Sequence, residues 1–264
     1  MNPPKVSAVV SHHHRRAWLL EALDSVAAQT FPEFEILVVN DAGPSASQLV
    51  SDWARGRAFE VRYLHREENG GVAAARNTGV RAARGGLIAY LDDDDLWDTR
   101  HLEGLVSLLE AHPECGLAYG DANITRVEWA PGPPRSWPVI ESLGLSVEFD
   151  REALSRDDFI VPGGMLHRRA LYDQVGAFDE GLFVSDDWDW LLRAAKVTSF
   201  AHLPRVVVTV RIRTDGENLS ADQGPRRRAA LDAIEQRHGT PRLEPKTFWE
   251  VALTYAQRAG TSRP

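Results

Sequence analysis

Cysteine is nearly absent: the 264-residue chain has one, Cys115. No intrachain disulfide can form, and a reducing compartment is expected. Cys115 opens the apolar run in HPECGLAYGD and reads as an inert core thiol. Positive charge is also short, with 30 Lys and Arg against 38 Asp and Glu and a formal net charge of -8. That balance excludes a general nucleic-acid binder, whose affinity rests on cations neutralising phosphates. A local basic pocket for one diphosphate stays open. No apolar run approaches the ~18 residues that read as a membrane span, and MNPPKVSAVV lacks the apolar stretch of a signal peptide. The expectation is a soluble cytoplasmic protein, with peripheral contact at the inner face of the membrane left open. Neither a P-loop GxxxxGK[ST] nor a GxGxxG fingerprint occurs, and no repeat or low-complexity tract is present.

What is present alternates. KVSAVV, FEILVVND, FEVRYLHRE and LIAYL have the near-continuous apolar texture of buried strands. Between them lie helical patterns, RRAWLLEALDSVAAQ with Trp18, Leu19, Ala22, Leu23 and Val26 at helical spacing, ASQLVSDWARGR, and the Ala-rich GVAAARNTGVRAAR. Gly85 and Gly86 are expected to end the last of these. RHLEGLVSLLEAHP is a further helix, stopped by Pro113. This order predicts a mostly parallel sheet covered on both faces. From about 125 to 165 the texture changes, and EWAPGPPRSWP reads as a long excursion, either over the active face or as a packed surface loop. Regularity returns with GGMLHRRALYDQVGAFDE, then SDDWDWLLRAAK as a capped helix start and FAHLPRVVVTVRIR as a strand. Two tail helices are expected in GPRRRAALDAIEQRHG and KTFWEVALTYAQRAG.

Ligands of such sheets bind at the carboxyl ends of the strands, where SHHHRR, NDAG and DDDD all fall. Four consecutive carboxylates, Asp92 to Asp95, repel unless a cation sits among them. Hard cations such as Mg2+ or Mn2+ choose carboxylate oxygens and share them with substrate phosphates, so an Asp-x-Asp at a strand end fits a nucleoside-diphosphate clamp. A solvated acidic turn is the alternative. Asp186, Asp187 and Asp189 open a helix, where acids favour the helix dipole, yet one of them could serve as a general base. His12, His13 and His14 cannot all reach one ion from an extended segment, which disfavours zinc. In ENGGVAAARNTG, Gly70 and Gly71 permit close backbone approach to a ligand, with Arg76 and Asn77 on the helix that follows.

Taken in order, VSAVV, LLEALDSVAAQTFPEFEILVVND, ENGGVAAARNTGVRAARGGLIAYLDDDDLW, GAFDE and SDDWDWLLR resemble the family 2 glycosyltransferases, over about residues 5 to 215. The resemblance implies an α/β GT-A fold, with a Rossmann-like, mostly parallel central sheet flanked by helices, as a catalytic domain over 1–215. Residues 216–264 would be a C-terminal helical extension packed on it. It implies a metal-dependent inverting transfer of a sugar from a nucleoside-diphosphate sugar, UDP-sugar favoured, to a glycan or glycolipid acceptor in polysaccharide or glycoconjugate synthesis. Mg2+ or Mn2+ would assist, and no nucleic acid would be bound. Matched by position, Ser11 and His13 would lie beside the base and Asp41 would hydrogen-bond it. Asp92 and Asp93 would contact the ribose and diphosphate region, with Asp94 the principal metal ligand and Asp92 beside it. Asp187 matches the catalytic base and Asp186 the acid before it, while Arg76 and Asn77 match a motif near the nucleotide.

The chain departs from the family pattern in three places. Ser11-His12-His13-His14 stands where Pro-Thr-Tyr-Asn is usual, and Asn40 stands where Asp is common. VRIRTDGENLS resembles a Tyr-Arg-x-His segment with Val210 and Arg213 substituted. Arg cannot ligate a cation but can pair with a diphosphate, which implies weaker metal affinity. Two rivals follow. A nucleotidyltransferase needs a basic triphosphate motif, and none lies near the first strand. A non-catalytic nucleotide-sugar binder is suggested by His13 and Arg213, and intact Asp187 with Asp92 to Asp94 counts against it.

Overall fold

Unbroken runs of Val, Ile and Leu need cover on both faces, and a parallel sheet between helices supplies it. In the computed structural model, which describes residues 3–128, 137–214 and 224–261, three such runs form β1 (Val6–His12), β2 (Phe34–Asp41) and β4 (Leu87–Asp92), and the half-buried EVRYLHR forms β3 (Glu60–Arg66). They pair in parallel in the order β3-β2-β1-β4. Parallel neighbours need crossovers, here α1 (Arg16–Ala27), α2 (Ser47–Ala54) and α3 (Gly71–Ala82). Trp18, Leu19, Ala22, Leu23 and Val26 form the buried face of α1, as their spacing predicts.

Beyond β4 the directions mix. After β5 (Leu96–Trp97) and α4 (His101–Ala111), the chain enters β6 (Cys115–Val127), with Cys115 buried at its start. It turns back as β7 (Val139–Leu145), antiparallel to β6. Part of the expected irregular excursion is therefore a strand, because its residues find a sheet edge to pair with. Residues 129–136 of EWAPGPPRSWP lie outside the described residues. The short helix α5 (Arg151–Leu154) and a 3-10 turn, Pro162–Gly164, lead to β8 (Met165–Arg168), which runs antiparallel between β4 and β6. Helices α6 (Arg169–Val175) and α7 (Asp186–Ala195) follow, then β9 (Ser199–Arg213), parallel to β6 and antiparallel to β5.

Two local expectations need correction. Helix α3 does not end on its glycines: Ala83 already turns extended, with φ -63° and ψ 143°. Gly85 serves a close approach, since a Cβ there would meet the Ser7 nitrogen at 2.7 Å, and its amide donates to Ser7 Oγ at 2.8 Å. At α7, Ser185 makes no side-chain cap and instead adopts a left-handed backbone, φ 62°. For a residue with a side chain this conformation costs about 1 kcal/mol or more and is held only by its surroundings.

The tail folds onto the body as α8 (Pro225–His238) and α9 (Phe248–Thr261), with Leu231, Ile234, Trp249, Val251 and Ala252 in the main core. A buried carboxylate fixes α8. Asp189 of α7 accepts Arg193 Nε at 2.9 Å, Arg237 Nη1 at 2.7 Å and His238 Nε2 at 2.8 Å. Burial pushes Asp189 up, but the bonds from His238 and Arg237 and the Arg193 charge outweigh it and hold it down to about 2. A carboxyl depressed below its ordinary value adds stability that is present above roughly pH 4 and lost as pH falls toward about 2. Asp189→Asn should cost ~3 kcal/mol at neutral pH and progressively less below pH 4. Chemical unfolding across that range checks it, and wild-type stability of the variant at pH 7 would refute the anchoring role.

Candidate active site

The sheet register places three polar loops at one edge. Ser11 lies opposite Val39 of β2 and Asp92 of β4, so the chain leaves β1, β2 and β4 at one level. There they border a cleft of about 380 Å³, whose walls include Ser11, His13, Asp41, Asp92, Asp94 and Asp187. The convergence expected from sequence is present.

Arginines hold the acidic run. Arg15 Nη1 donates to Asp93 Oδ1 at 2.7 Å and to Asp94 Oδ2 at 2.9 Å. Arg76, buried, donates to Asp92 Oδ2 and to Asp186 Oδ2, each at 3.1 Å. The Arg211 amide donates to Asp95 Oδ1 at 3.0 Å. The four carboxyls are therefore not alike. Burial pushes Asp93 up, but the Arg15 charge and the His12 hydrogen bond hold it below the usual range. Burial together with the Asp93 and Asp92 charges prevails over Arg15 at Asp94 and pushes it up to about 6. Asp95, buried beside Asp94 and Asp92, lies well above its ordinary value. Trp97, which closes the run, donates Nε1–H to the Gly163 carbonyl at 2.8 Å and stacks on His101, tying the run to the 3-10 turn.

Across the cleft, the left-handed Ser185 turns the chain into α7, so that Asp186 and Asp187 border the cavity. Asp187 Oδ1 accepts the Trp188 amide at 2.9 Å. Its other oxygen has no protein partner among the described residues. Asp186 is pushed up to about 7 by burial, with Arg76 opposing and the Asp187 charge adding.

The histidines diverge, as the strand geometry requires. His12 Nδ1 pairs with Asp93 Oδ2 at 2.7 Å, while His13 Nδ1 donates to the Asp41 carbonyl at 2.8 Å and its ring borders the cleft. The Asp41 carboxylate borders the cleft too, although it already accepts Arg66 Nε at 2.7 Å and the Gly70 and Gly71 amides at 3.0 and 2.7 Å. Asn40 builds the turn beneath: its amide donates to the Gly43 carbonyl at 3.0 Å, and its oxygen accepts the Gly43 amide at 2.9 Å. A Cβ at Gly43 would lie 1.5 Å from the His13 carbonyl oxygen, so only glycine fits.

Two residues expected near the nucleotide do not line the cleft. Asn77 is buried off the cleft, where its amide donates to the Phe178 carbonyl and Glu180, and its oxygen accepts the Tyr172 hydroxyl. It ties down the GAFDE loop. Arg213 is buried at the end of β9, off the cleft wall, and its charge reaches Asp94 and His14. Other cleft residues carry no signal in the sequence, among them Arg15, hidden beside the histidines, and Asp158, Arg227 and Lys246, which carry no motif.

Among the described residues, no three His, Cys, Asp or Glu side chains form a ready metal site. The donors still fit Mg2+ or Mn2+, which needs only one or two protein carboxylates when phosphate oxygens complete the shell. Asp94 suits that part: it borders the cleft, and one carboxyl oxygen has no protein partner among the described residues. Asp92 lies beside it, a third exposed.

Comparison with known proteins agrees with this geometry. The family model for Glycosyl transferase family 2 matches residues 7–176. YwdF of Bacillus subtilis, named an uncharacterized glycosyltransferase, is 33% identical over 244 residues, 92% of this chain and 88% of that protein. EpsJ of the same organism, named likewise, is 40% identical over 195 residues, 72% of this chain and 56% of that one. Among solved structures, Staphylococcus aureus TarS 1–349 in complex with UDP-GlcNAc superposes with TM-score 0.66 at 20% identity, over 88% of this chain and 65% of that one. The mannosyltransferase PcManGT from Pyrobaculum calidifontis, in complex with GDP-Man and Mn2+, gives TM-score 0.62 at 17% identity, over 100% and 77%. These likenesses show the GT-A fold.

If Arg76 neutralises Asp92 and Asp186, Arg76→Met should cost about 3 kcal/mol or more in urea unfolding, because it strands two carboxylates. Adding Asp186→Asn should recover part of the loss, a coupling that a double-mutant cycle reads. A loss below about 1 kcal/mol for the single change would contradict the pairing.

Proposed function

The chain belongs to glycosyl transferase family 2, and from that premise we propose that it transfers a sugar with inversion from a nucleoside-diphosphate sugar to an acceptor hydroxyl. Residues 1–215 are assigned to the catalytic body and 216–264 to an extension that lends the cleft its far wall. A UDP-sugar is the favoured donor, in line with the likeness to TarS solved with UDP-GlcNAc. The acceptor is assigned as a glycan or glycolipid.

One observation carries the mechanism: Asp187 borders the same cleft as the acidic run and keeps one carboxyl oxygen without a protein partner among the described residues. A carboxylate so placed can take the proton from the acceptor hydroxyl as its oxygen attacks the anomeric carbon, opposite the departing diphosphate. The Trp188 amide on the other oxygen fixes its direction. Asp186, tied to Arg76, holds the start of α7 in register with β4. Ser11, His13 and Asp41 are assigned to the nucleoside end, and Asp92 and Asp93 to the ribose and diphosphate region. A divalent cation bound to Asp94, with Asp92 alongside, would supply charge neutralisation to the leaving diphosphate. The remaining contribution of the protein is to position two reactants and exclude water.

Asp187→Asn should lower turnover by roughly 10²–10⁴-fold, with UDP affinity within about twofold of wild type. Radiolabelled transfer and calorimetry on the same preparation separate the two effects. Near wild-type turnover would show that the base lies elsewhere.

A further inference from the structure

The wall of the cleft beside Asp187 holds two buried groups with unmet hydrogen bonds. Asp158 is 7% exposed and borders the cleft, yet its carboxyl makes no hydrogen bond and no ion pair among the described residues. Arg227, from the first turns of α8, is also 7% exposed. Among the described residues it donates once, from Nη2 to the Lys246 carbonyl at 3.0 Å, and its Nε finds no partner. Leaving a buried donor or acceptor unmade costs about 1–3 kcal/mol each, and packing alone supplies no reason to keep such a pair in one wall. Proteins retain unsatisfied groups where a ligand completes them.

The charges decide what kind of ligand fits. Asp158 feels the charges of Asp187 and Asp186 as well as those of Arg227 and Arg76, and an anion entering here would meet three carboxyls. Lys246 is spent on Asp157. A neutral hydroxylated molecule meets no such repulsion, since its hydroxyls can donate to Asp158 and accept from Arg227. Phe183 and Phe248 border the same cavity and add apolar surface to it. Burial and the Asp187 charge hold Asp158 well above its ordinary value, which suits a carboxyl that both gives and takes hydrogen bonds.

We propose that Asp158 and Arg227 form a hydroxyl-recognition pair for an uncharged sugar ring seated beside Asp187. The inference rests on the transferase reading above. The ring belongs either to the donor or to the acceptor, and the two sources are separable.

The test uses the whole chain and four forms: wild type, Asp158→Leu, Asp158→Asn and Arg227→Gln. With Mn2+ present, each is titrated with UDP, UDP-glucose, UDP-N-acetylglucosamine, GDP and GDP-mannose, and with a set of neutral p-nitrophenyl glycosides. Bare diphosphate affinity should stay within about twofold in every form, while Asp158→Leu and Arg227→Gln weaken a sugar-bearing probe by about tenfold or more. Asp158→Asn, which keeps a donor and an acceptor, should retain most of the affinity. A loss confined to nucleotide sugars assigns the ring to the donor, and one confined to glycosides assigns it to the acceptor. Asp158→Leu should melt at or above the wild-type temperature, because an unpaired buried acid gives way to an apolar side chain. Sugar-bearing probes that bind both variants as they bind wild type would overturn the proposal, whatever the melting temperature does. So would a wild type that gains nothing from the sugar in any probe. Should Asp158→Leu fail to fold, Arg227→Gln alone decides. Bound diphosphate with indifferent sugars sinks this inference and leaves the transferase reading standing, whereas no binding of any nucleotide sinks both.

Discussion

The cleft depends on arginines paired with buried aspartates. Asp92 to Asp95, Asp158, Asp186 and Asp187 crowd one small space, and at such separations unscreened carboxylates would force one another apart or take up protons. Arg15 and Arg76 oppose this through ion pairs to Asp93, Asp94, Asp92 and Asp186, and burial still holds Asp94 and Asp186 above their ordinary values. Each arginine also links elements: Arg15 joins the start of α1 to the end of β4, and Arg76 joins α3 to both β4 and α7. The pairing that neutralises the site therefore also holds its parts at fixed distances.

That scaffold places Asp187, the carboxylate proposed as the base. Asp187 sits where it does because Ser185 accepts a left-handed backbone, Asp186 is caught by Arg76, and Asp189 one turn further on is locked by Arg193, Arg237 and His238. The same Asp189 lock anchors α8, which carries Arg227 into the cleft. Three aspartates of one short segment thus do different work: one positions, one is left open for chemistry, and one fastens the C-terminal helices.

The fold was largely legible because periodicity and strand texture follow from burial: β1 to β4 and the helices between them lie where their apolar patterns put them. Where the sequence misled, a tertiary contact had the deciding part. Gly85 looked like a helix stop but is small because Ser7 lies against it, and Ser185 looked like a cap but is a strained turn. The strand β7 was hidden because an edge partner, not its own pattern, makes it extended. At the site, the three polar loops could be placed together from topology alone. Asn77 could not be placed, since nothing in ARN tells that its amide is taken up by the Phe178 loop. Asp158 and Arg227 could not be found either, because their meaning comes from proximity between residues far apart in sequence.

The arginine-held acidic run is proposed to receive a cation-bound nucleoside diphosphate. The most direct measurement is a calorimetric titration of UDP, GDP, dTDP and CDP, each with Mn2+ and then with EDTA. One nucleotide, UDP in the favoured case, should bind tightly with Mn2+ and weaken sharply in EDTA. Failure of all four to bind in either condition would contradict that proposal and return Asp92 to Asp95 to the status of a charge-compensated turn.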